Sequence, residues 1–523
     1  MESKGSQRSG LRQLTRARVL NSAIGLASAL VLAGCAAKPD ESQRGTVGFV
    51  RGFLGGVVAD EPQAALVGRE ILSAGGSAVD AAVAAYFTLA VTLPSAATLG
   101  GGGICLVHDQ AKGATEMLDF IAVAPASRAA GGVAVPANAR GFYILHARYG
   151  RLKWPQILSP ATNAARFGVR MPRALAADLA ANGSTLADAN LRRVFGRRDG
   201  VTPRAGGGPW IPLAEGEQLV QVDLAATIER IRNQGPGNLH QGAGAAMLAE
   251  AYQAAGLPLT REDLGGAAPV WRKPISLPVE IAGRRAIAHF AGPPASGGAV
   301  TAKIAGGLLE NDRYVRAGAD RLALFAELAG RAAAERAPQP SPADGFAATV
   351  IVAADSSGMA VVCAVTPNAP FGAGRMAPGT GLIAAAAPDA SGRGPAALTA
   401  MLVQDRRGDG VYFAGGAAGG AAAATVLAQV AAETAAGRSL EDALAAARIH
   451  VGGRGGAGDT VYHEDHLDEA ARRMLTGRGY RLGASPALGV VNALSCPGGL
   501  AEKPASCALR ADTRGRGLAA GAN

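Results

Sequence analysis

The sequence predicts an α+β fold in which a sheet lies between other layers. Three stretches carry that expectation. Thr349–Ala354 and Met359–Val365 are two continuous apolar runs joined by the turn Asp355-Ser356-Ser357-Gly358, a hairpin whose arms need cover on both faces. Ala81–Leu93 is rich in Ala, Val and Leu nearly all round, the pattern of a buried helix. Residues 137–335 mostly alternate amphipathic helical segments, such as Leu224–Asn233 and Gly242–Ala254, with turn clusters, and read as a helical layer.

In chain order, Gly55–Asp60 reads as a short strand leading into a helix over Glu61–Ala74 that Gly75-Gly76 terminates. Ser77-x-x-Asp80 supplies an N-terminal cap for the buried helix, and Pro94 stops it. Gly100–Gly103 then allow a tight turn into the apolar strand Ile104–Val107. Residues 337–345, rich in Pro and Ser, break the helical region directly before the hairpin. Helices over Ala421–Ala435 and Leu440–Ile449 are expected to cover part of the sheet.

The 523 residues allow two to four domains or one large intertwined unit. With 49% hydrophobic and 18% charged residues the chain is neither disordered nor fibrous. Aromatics make up only 4%, which disfavours base-stacking nucleic-acid readers. The net charge of +10 is partly gathered before residue 35 and otherwise scattered without a basic stripe, so no nucleic-acid partner is expected.

A basic stretch ending at Arg18 precedes the uncharged run Val19–Gly34, the order of a secretory signal. Its 16 residues are short of the roughly 20 that a membrane span needs. It closes on Leu32-Ala33-Gly34-Cys35, which resembles a bacterial lipobox. The expectation is a signal peptide over 1–34, a lipidated Cys35 and a tether over 35–54, giving an exported, membrane-anchored protein facing the periplasm; the alternative is an ordinary signal peptide with a chance cysteine. Export makes a disulfide possible, and Cys496 with Cys507 is the natural pair. Cys105 and Cys363, inside apolar runs, read as buried thiols.

His463-x-x-His466, in a polar stretch, reads as a surface loop, and no metal or other cofactor is expected. Gly-x-Ser-x-Gly, His-Glu-x-x-His and a phosphate-loop Gly-Lys pair are all missing from the sequence. Gly453-x-Gly455-x-x-Gly458 follows a predicted helix and precedes a polar strand, the reverse of a dinucleotide-binding context, and reads as a loop.

Gly75–Val107, GGSAVDAAVAAYFTLAVTLPSAATLGGGGICLV, strongly resembles the gamma-glutamyltranspeptidase family. So do VDLAATIERIRNQGPGNLHQG, LTREDLGG followed by WRKPIS, PPASGG, APFGAGRMAPGTG and ADTRGRGLAAG, in family order. The resemblance implies a four-layer αββα sandwich of the N-terminal-nucleophile hydrolase type. It also implies a precursor that cuts itself into a large-subunit-like region (55–348) and a small-subunit-like region (349–523) that stay associated. The implied reaction opens γ-glutamyl or related amide bonds of a small-molecule substrate through a threonine acyl-enzyme, the new α-amine serving as the threonine's own base.

The family's small subunit opens with Thr-Thr-His. Counting back from Asp355, the first threonine falls on Ala348, the second on Thr349 and the histidine on Val350. Thr349 is therefore the candidate nucleophile; the rival reading is a strand threonine in an uncut chain. The resemblance further implies that Thr366 supports the nucleophile, that Asn368 contacts the donor's α-amino group, and that the N–H groups of Gly419 and Gly420 form an oxyanion hole. The family's donor-carboxylate arginine and the residue after it are replaced by Ile121-Ala122, its paired serines by Ala396-Ala397, and its ammonium-binding aspartate is lost or displaced onto Asp389. These departures leave two alternatives to γ-glutamyl chemistry: an amidase for a less polar acyl donor, or an inactive, uncleaved binding scaffold.

Overall fold

The computed structural model describes residues 55–126, 132–199, 209–266, 268–281, 283–334, 347–387, 397–408, 410–452 and 459–522. The strands used below are β1 (Gly55–Ala59), β2 (Gly102–Asp109), β3 (Ala114–Phe120), β4 (Val270–Arg272), β5 (Ile275–Ile281), β6 (Arg284–Phe290), β7 (Thr349–Asp355), β8 (Ala360–Thr366), β9 (Thr399–Asp405), β10 (Val411–Ala418), β11 (Val490–Ser495), β12 (Ala508–Arg510) and β13 (Leu518–Gly521). They form a seven-stranded sheet, β13-β1-β7-β8-β2-β3-β4, and a six-stranded sheet, β12-β11-β10-β9-β6-β5.

Side-chain alternation shows how the sheets stack. On β7, Val350, Val352 and Ala354 enter a buried cluster shared with Leu402, Ala414 and Leu494 of the other sheet. Ile351 and Ala353 face the opposite way, into a cluster with the helices α1 (Pro62–Ser73) and α2 (Ala78–Thr92). On β10, Phe413 and Ala417 pack with α3 (Ser296–Leu309) and α4 (Ala423–Ala435). Three apolar gaps therefore separate four layers, helix, sheet, sheet and helix. The inner gap is narrow: a Cβ added at Gly416 would stand 2.8 Å from Val350 Cγ1 and 3.0 Å from Val362 Cγ1.

The N-terminal elements form for the expected reasons. Glu61 caps α1 by accepting from the N–H groups of Gln63 and Ala64, and Ser77 and Asp80 make a reciprocal capping box on α2, all of whose residues are buried. Four expectations change. β5 and β6 lie within the stretch read as a helical layer, where Pro278 and partly exposed positions on an edge strand mask the strand pattern. The helix at Leu440 stops at Ala445, and Ile449–Gly452 is a strand. His463 is buried in the strand Thr460–Glu464, its Nδ1 2.9 Å from the Glu464 carbonyl, instead of lying on a loop.

Cys105 and Cys363 are not thiols: they stand directly opposite on β2 and β8, and the structure joins them as a disulfide. Register across two strands 258 residues apart in sequence, invisible in the sequence itself, makes the pair. Cys496 and Cys507 form a second disulfide. Cys35 and Gly453–Gly458 lie outside the described residues. Among the described residues no helix is long and apolar enough to cross a membrane, and no three metal-ligating side chains converge.

Two predictions follow from the packing. Alkylation of the denatured, unreduced protein should leave Cys105 and Cys363 unlabelled, and Cys363→Ala should cost about 2–5 kcal/mol in denaturant titration. The second concerns a polar cluster between the sheets. Thr115 Oγ1 donates to Gln404 Oε1 (3.0 Å), so His108 Nδ1–H donates to Thr115 Oγ1 (3.1 Å). Nearby His289 meets Ser276 Oγ at 2.8 Å, and among the described residues its Nε2 has no partner. Burial pushes both rings down against the pull of Asp109 and Asp405 on His108, and His289, further lowered by His108, reaches about 4. Between the free-histidine value and about pH 4 the unfolded chain takes up the His289 proton and the folded chain does not, and the lowered His108 acts in the same direction. Stability should therefore fall on acidification through that window, by roughly 3 kcal/mol for His289. Equilibrium unfolding at several pH values checks it, with His289→Gln flattening the slope.

Candidate active site

The site grows from the start of β7. Thr349 is fully buried, and its Oγ1 donates to Asp60 Oδ2 at 2.8 Å. Asp60 directly follows β1, whose pairing with β7 brings it beside Val350, and the Val350 N–H donates to the same oxygen at 3.1 Å. From the opposite sheet, Asn492 on β11 donates through Nδ2 both to Asp60 Oδ1 (2.8 Å) and to the Val350 carbonyl (2.9 Å). One carboxylate thus fastens three strands and two sheets. Burial raises its pKa, the Thr349, Val350 and Asn492 hydrogen bonds oppose the rise, and the charge of Asp512 adds to it.

Ala348 is partly buried against the inner cluster, and the carbonyl of Ala347 accepts a hydrogen bond from Thr366 Oγ1. Thr366 also accepts from the N–H of Asn368 (2.9 Å), which holds Asn368 in a left-handed conformation with φ 72°. Asn368 Nδ2 in turn donates to the Ala386 carbonyl at 3.0 Å. Thr349, Thr366 and Asn368 therefore gather at one end of the β7–β8 pair, whose register sets Thr349 opposite Val365.

Nearby positions are hydrocarbon. Ala122, Ala134 and Ala385 form a small buried cluster, and Ile121 packs into the inner gap. Arg272 is paired with Asp119 at 2.8 Å, two residues before Ile121. Asp389 lies outside the described residues, as does Ala396.

Gly419 and Gly420 follow β10 with φ 138° and 57°, and among the described residues their N–H groups have no acceptor. A Cβ on Gly419 would lie 2.4 Å from Gly489 Cα, so only glycine fits that turn. Gly489 is itself held: Arg448, 1% exposed, donates to the carbonyls of Leu488 (3.3 Å) and Gly489 (3.0 Å) and pairs with Asp512. Asp512 also takes the Val491 N–H at 2.9 Å, and Arg514 joins Asp512 to Glu464.

Sequence reasoning missed Asp60, Asn492 and this ion network. Asp512 and Arg514 stood inside a segment quoted for its resemblance. Asp60 and Asn492, 432 positions apart, carried no signal before the strands were paired.

Two sheets packed face to face between helical layers, with a threonine and a glycine turn at their ends, define an N-terminal-nucleophile hydrolase fold. A cephalosporin acylase from Bacillus halodurans shares it with a TM-score of 0.66 at 21% identity, covering 93% of this chain and 97% of that one. The family model described as gamma-glutamyltranspeptidase matches residues 64–339, just over half of the sequence, and the chain belongs to that family. It is 32% identical to the glutathione hydrolase proenzyme of Escherichia coli (strain K12) over 313 residues, 55% of this chain and 51% of that protein. It is 33% identical to that of Pseudomonas aeruginosa over 279 residues, 48% and 45%. The chain spans about half the length of these curated relatives.

Gly419→Ala should place its methyl against Gly489, destabilising the fold by about 1–3 kcal/mol through overpacking and positive φ. Thermal melting reads that cost, and any turnover the wild type shows should fall with it.

Proposed function

We propose that the chain is a hydrolase or acyltransferase of the gamma-glutamyltranspeptidase type, opening amide bonds of γ-glutamyl or related acyl donors through an ester on Thr349. The observation that carries this reading is the buried Thr349 hydroxyl held at 2.8 Å on the partly buried Asp60 carboxylate, beside Thr366. In the proposed cycle Thr349 Oγ attacks the amide carbonyl, and the oxyanion is received by the N–H groups of Gly419 and Gly420. The C–N bond breaks and the amine leaves with a proton. Water or a second amine then releases the acyl group. Preorganised N–H donors of this kind lower an acyl-transfer barrier by about 3–4 kcal/mol.

Ile121 and the Ala122, Ala134 and Ala385 cluster favour a donor head less polar than a γ-glutamyl zwitterion, because hydrocarbon cannot replace a bidentate arginine on a carboxylate. The proposal includes self-cleavage before Thr349 into the region 55–348, still carrying the 35–54 tether, and the region 349–523, in keeping with relatives named as proenzymes. It also includes export with a lipid on Cys35 and an outlook on the periplasm, which two disulfides favour. Ala348 and the full burial of Thr349 favour one rival, an uncut scaffold that binds a ligand without turning it over.

A denaturing gel and intact mass of the purified protein beside Thr349→Ala separate these readings. Two fragments of roughly 31 and 17 kDa, at about 0.1 kDa per residue, should appear in the wild type and vanish in the variant. A lipid on Cys35 should add its mass to the larger fragment only. A single whole chain in both samples would leave the scaffold.

A further inference from the structure

Self-cleavage raises a chemical difficulty that the geometry addresses. The α-amine that would serve Thr349 as base does not exist until the chain is cut, yet the first attack, on the chain's own Ala348 carbonyl, already needs a proton acceptor. A candidate must lie within hydrogen-bond reach of the hydroxyl. Among the described residues the group that accepts the Thr349 Oγ1 hydrogen bond is Asp60 Oδ2, at 2.8 Å.

We infer that Asp60 is the proton-transfer group of the self-processing step, taking the Thr349 hydroxyl proton and returning it to the departing nitrogen. Thr349 Oγ adds to the Ala348 carbonyl carbon while its proton passes to Asp60 Oδ2. The tetrahedral centre collapses, the Ala348 C–Thr349 N bond breaks, and Asp60 hands the proton to that nitrogen, leaving an ester and a free amine. Water then hydrolyses the ester, which frees the Ala348 carboxylate and restores the Thr349 hydroxyl.

The surroundings suit the role. Asn492 Nδ2 grips Asp60 Oδ1 and the Val350 carbonyl together, so carboxylate and strand are fixed relative to one another and Oδ2 stays turned toward Thr349. The Val350 N–H on Oδ2 steadies the charged form without occupying the hydroxyl's approach. Thr366 holds the Ala347 carbonyl, one peptide upstream of the bond to be cut, which limits how that segment can turn. Asp60 keeps some solvent exposure while Thr349 has none, so water for the ester reaches the site from the carboxylate side. Burial raises the carboxyl toward the range in which it can both accept and give back a proton.

The inference rests on the processing reading above, and one experiment separates the two. Full-length wild type, Asp60→Asn and Thr349→Ala are made by cell-free synthesis, and fragment appearance is followed by denaturing gel over time. Wild type should be cut, Thr349→Ala should stay whole, and Asp60→Asn should be cut at least about a hundredfold more slowly, within the usual range for a lost general base. A wild-type chain that stays whole overturns the processing reading and this step with it. A wild type that is cut beside an Asp60→Asn chain cut at the same rate overturns the role of Asp60 alone. Should Asp60→Asn fail to fold by circular dichroism, the pH profile of wild-type cutting decides. The rate should rise with pH through one ionisation above the ordinary carboxylate range, and a flat rate between about pH 4 and 8 overturns the inference.

Discussion

The structure turns on a partly buried carboxylate. Asp60 directly follows the first strand, stands at the entry to the central hairpin and is reached from the opposite sheet by Asn492. An isolated carboxylate in an apolar gap would be costly, and the fold supplies it with a hydroxyl, a backbone N–H and an amide. Two of those donors start β7 and the third stands on β11, so the group supports the register of β1 on β7 and the approach of β11 to both.

Around that point the interior is built from small side chains. Gly416 lets β10 close on Val350 and Val362, and Gly419 sits where only a hydrogen fits against Gly489. The apolar cluster of the inner gap is made of Val, Ala, Leu, Ile, Met and Cys with no Phe, Tyr or Trp, which matches a chain with 4% aromatics. Such close packing transmits constraint. The Arg448, Asp512, Arg514 and Glu464 network lies behind the glycine turn, and through the Leu488 and Gly489 carbonyls it fixes the loop on which Gly419 rests. Buried ion pairs of this kind contribute little net stability, while breaking one leaves an uncompensated charge. Their role here is to set the position of backbone.

The chemistry and the fold point in different directions at the donor end. The layered sheets match the family's fold and the roles proposed for Thr366, Asn368 and the glycine pair are taken from it, whereas Ile121, Ala122, Ala134 and Ala385 present hydrocarbon. On the proposed reading a charged head group meets hydrocarbon there, while both sheets keep their full strand order.

Much of this was legible in order along the chain. Strand Gly55–Ala59, the capped helices α1 and α2, the glycine turn into β2 and the hairpin of β7 and β8 follow from local periodicity and capping, and each is a property of neighbours in sequence. The family segments named the fold before any strand was paired. β5 was not legible, because an edge strand with partly exposed positions and a proline carries too little pattern, and β6, which pairs with it, was missed with it. Nor could the sequence tell that Cys105 meets Cys363 across two strands, or that Asp60 meets Thr349 and Asn492. Local sequence decides which residues can form a helix or a strand. Which side chains then touch depends on sheet order and register, and those are settled only when distant segments bury their apolar faces against one another.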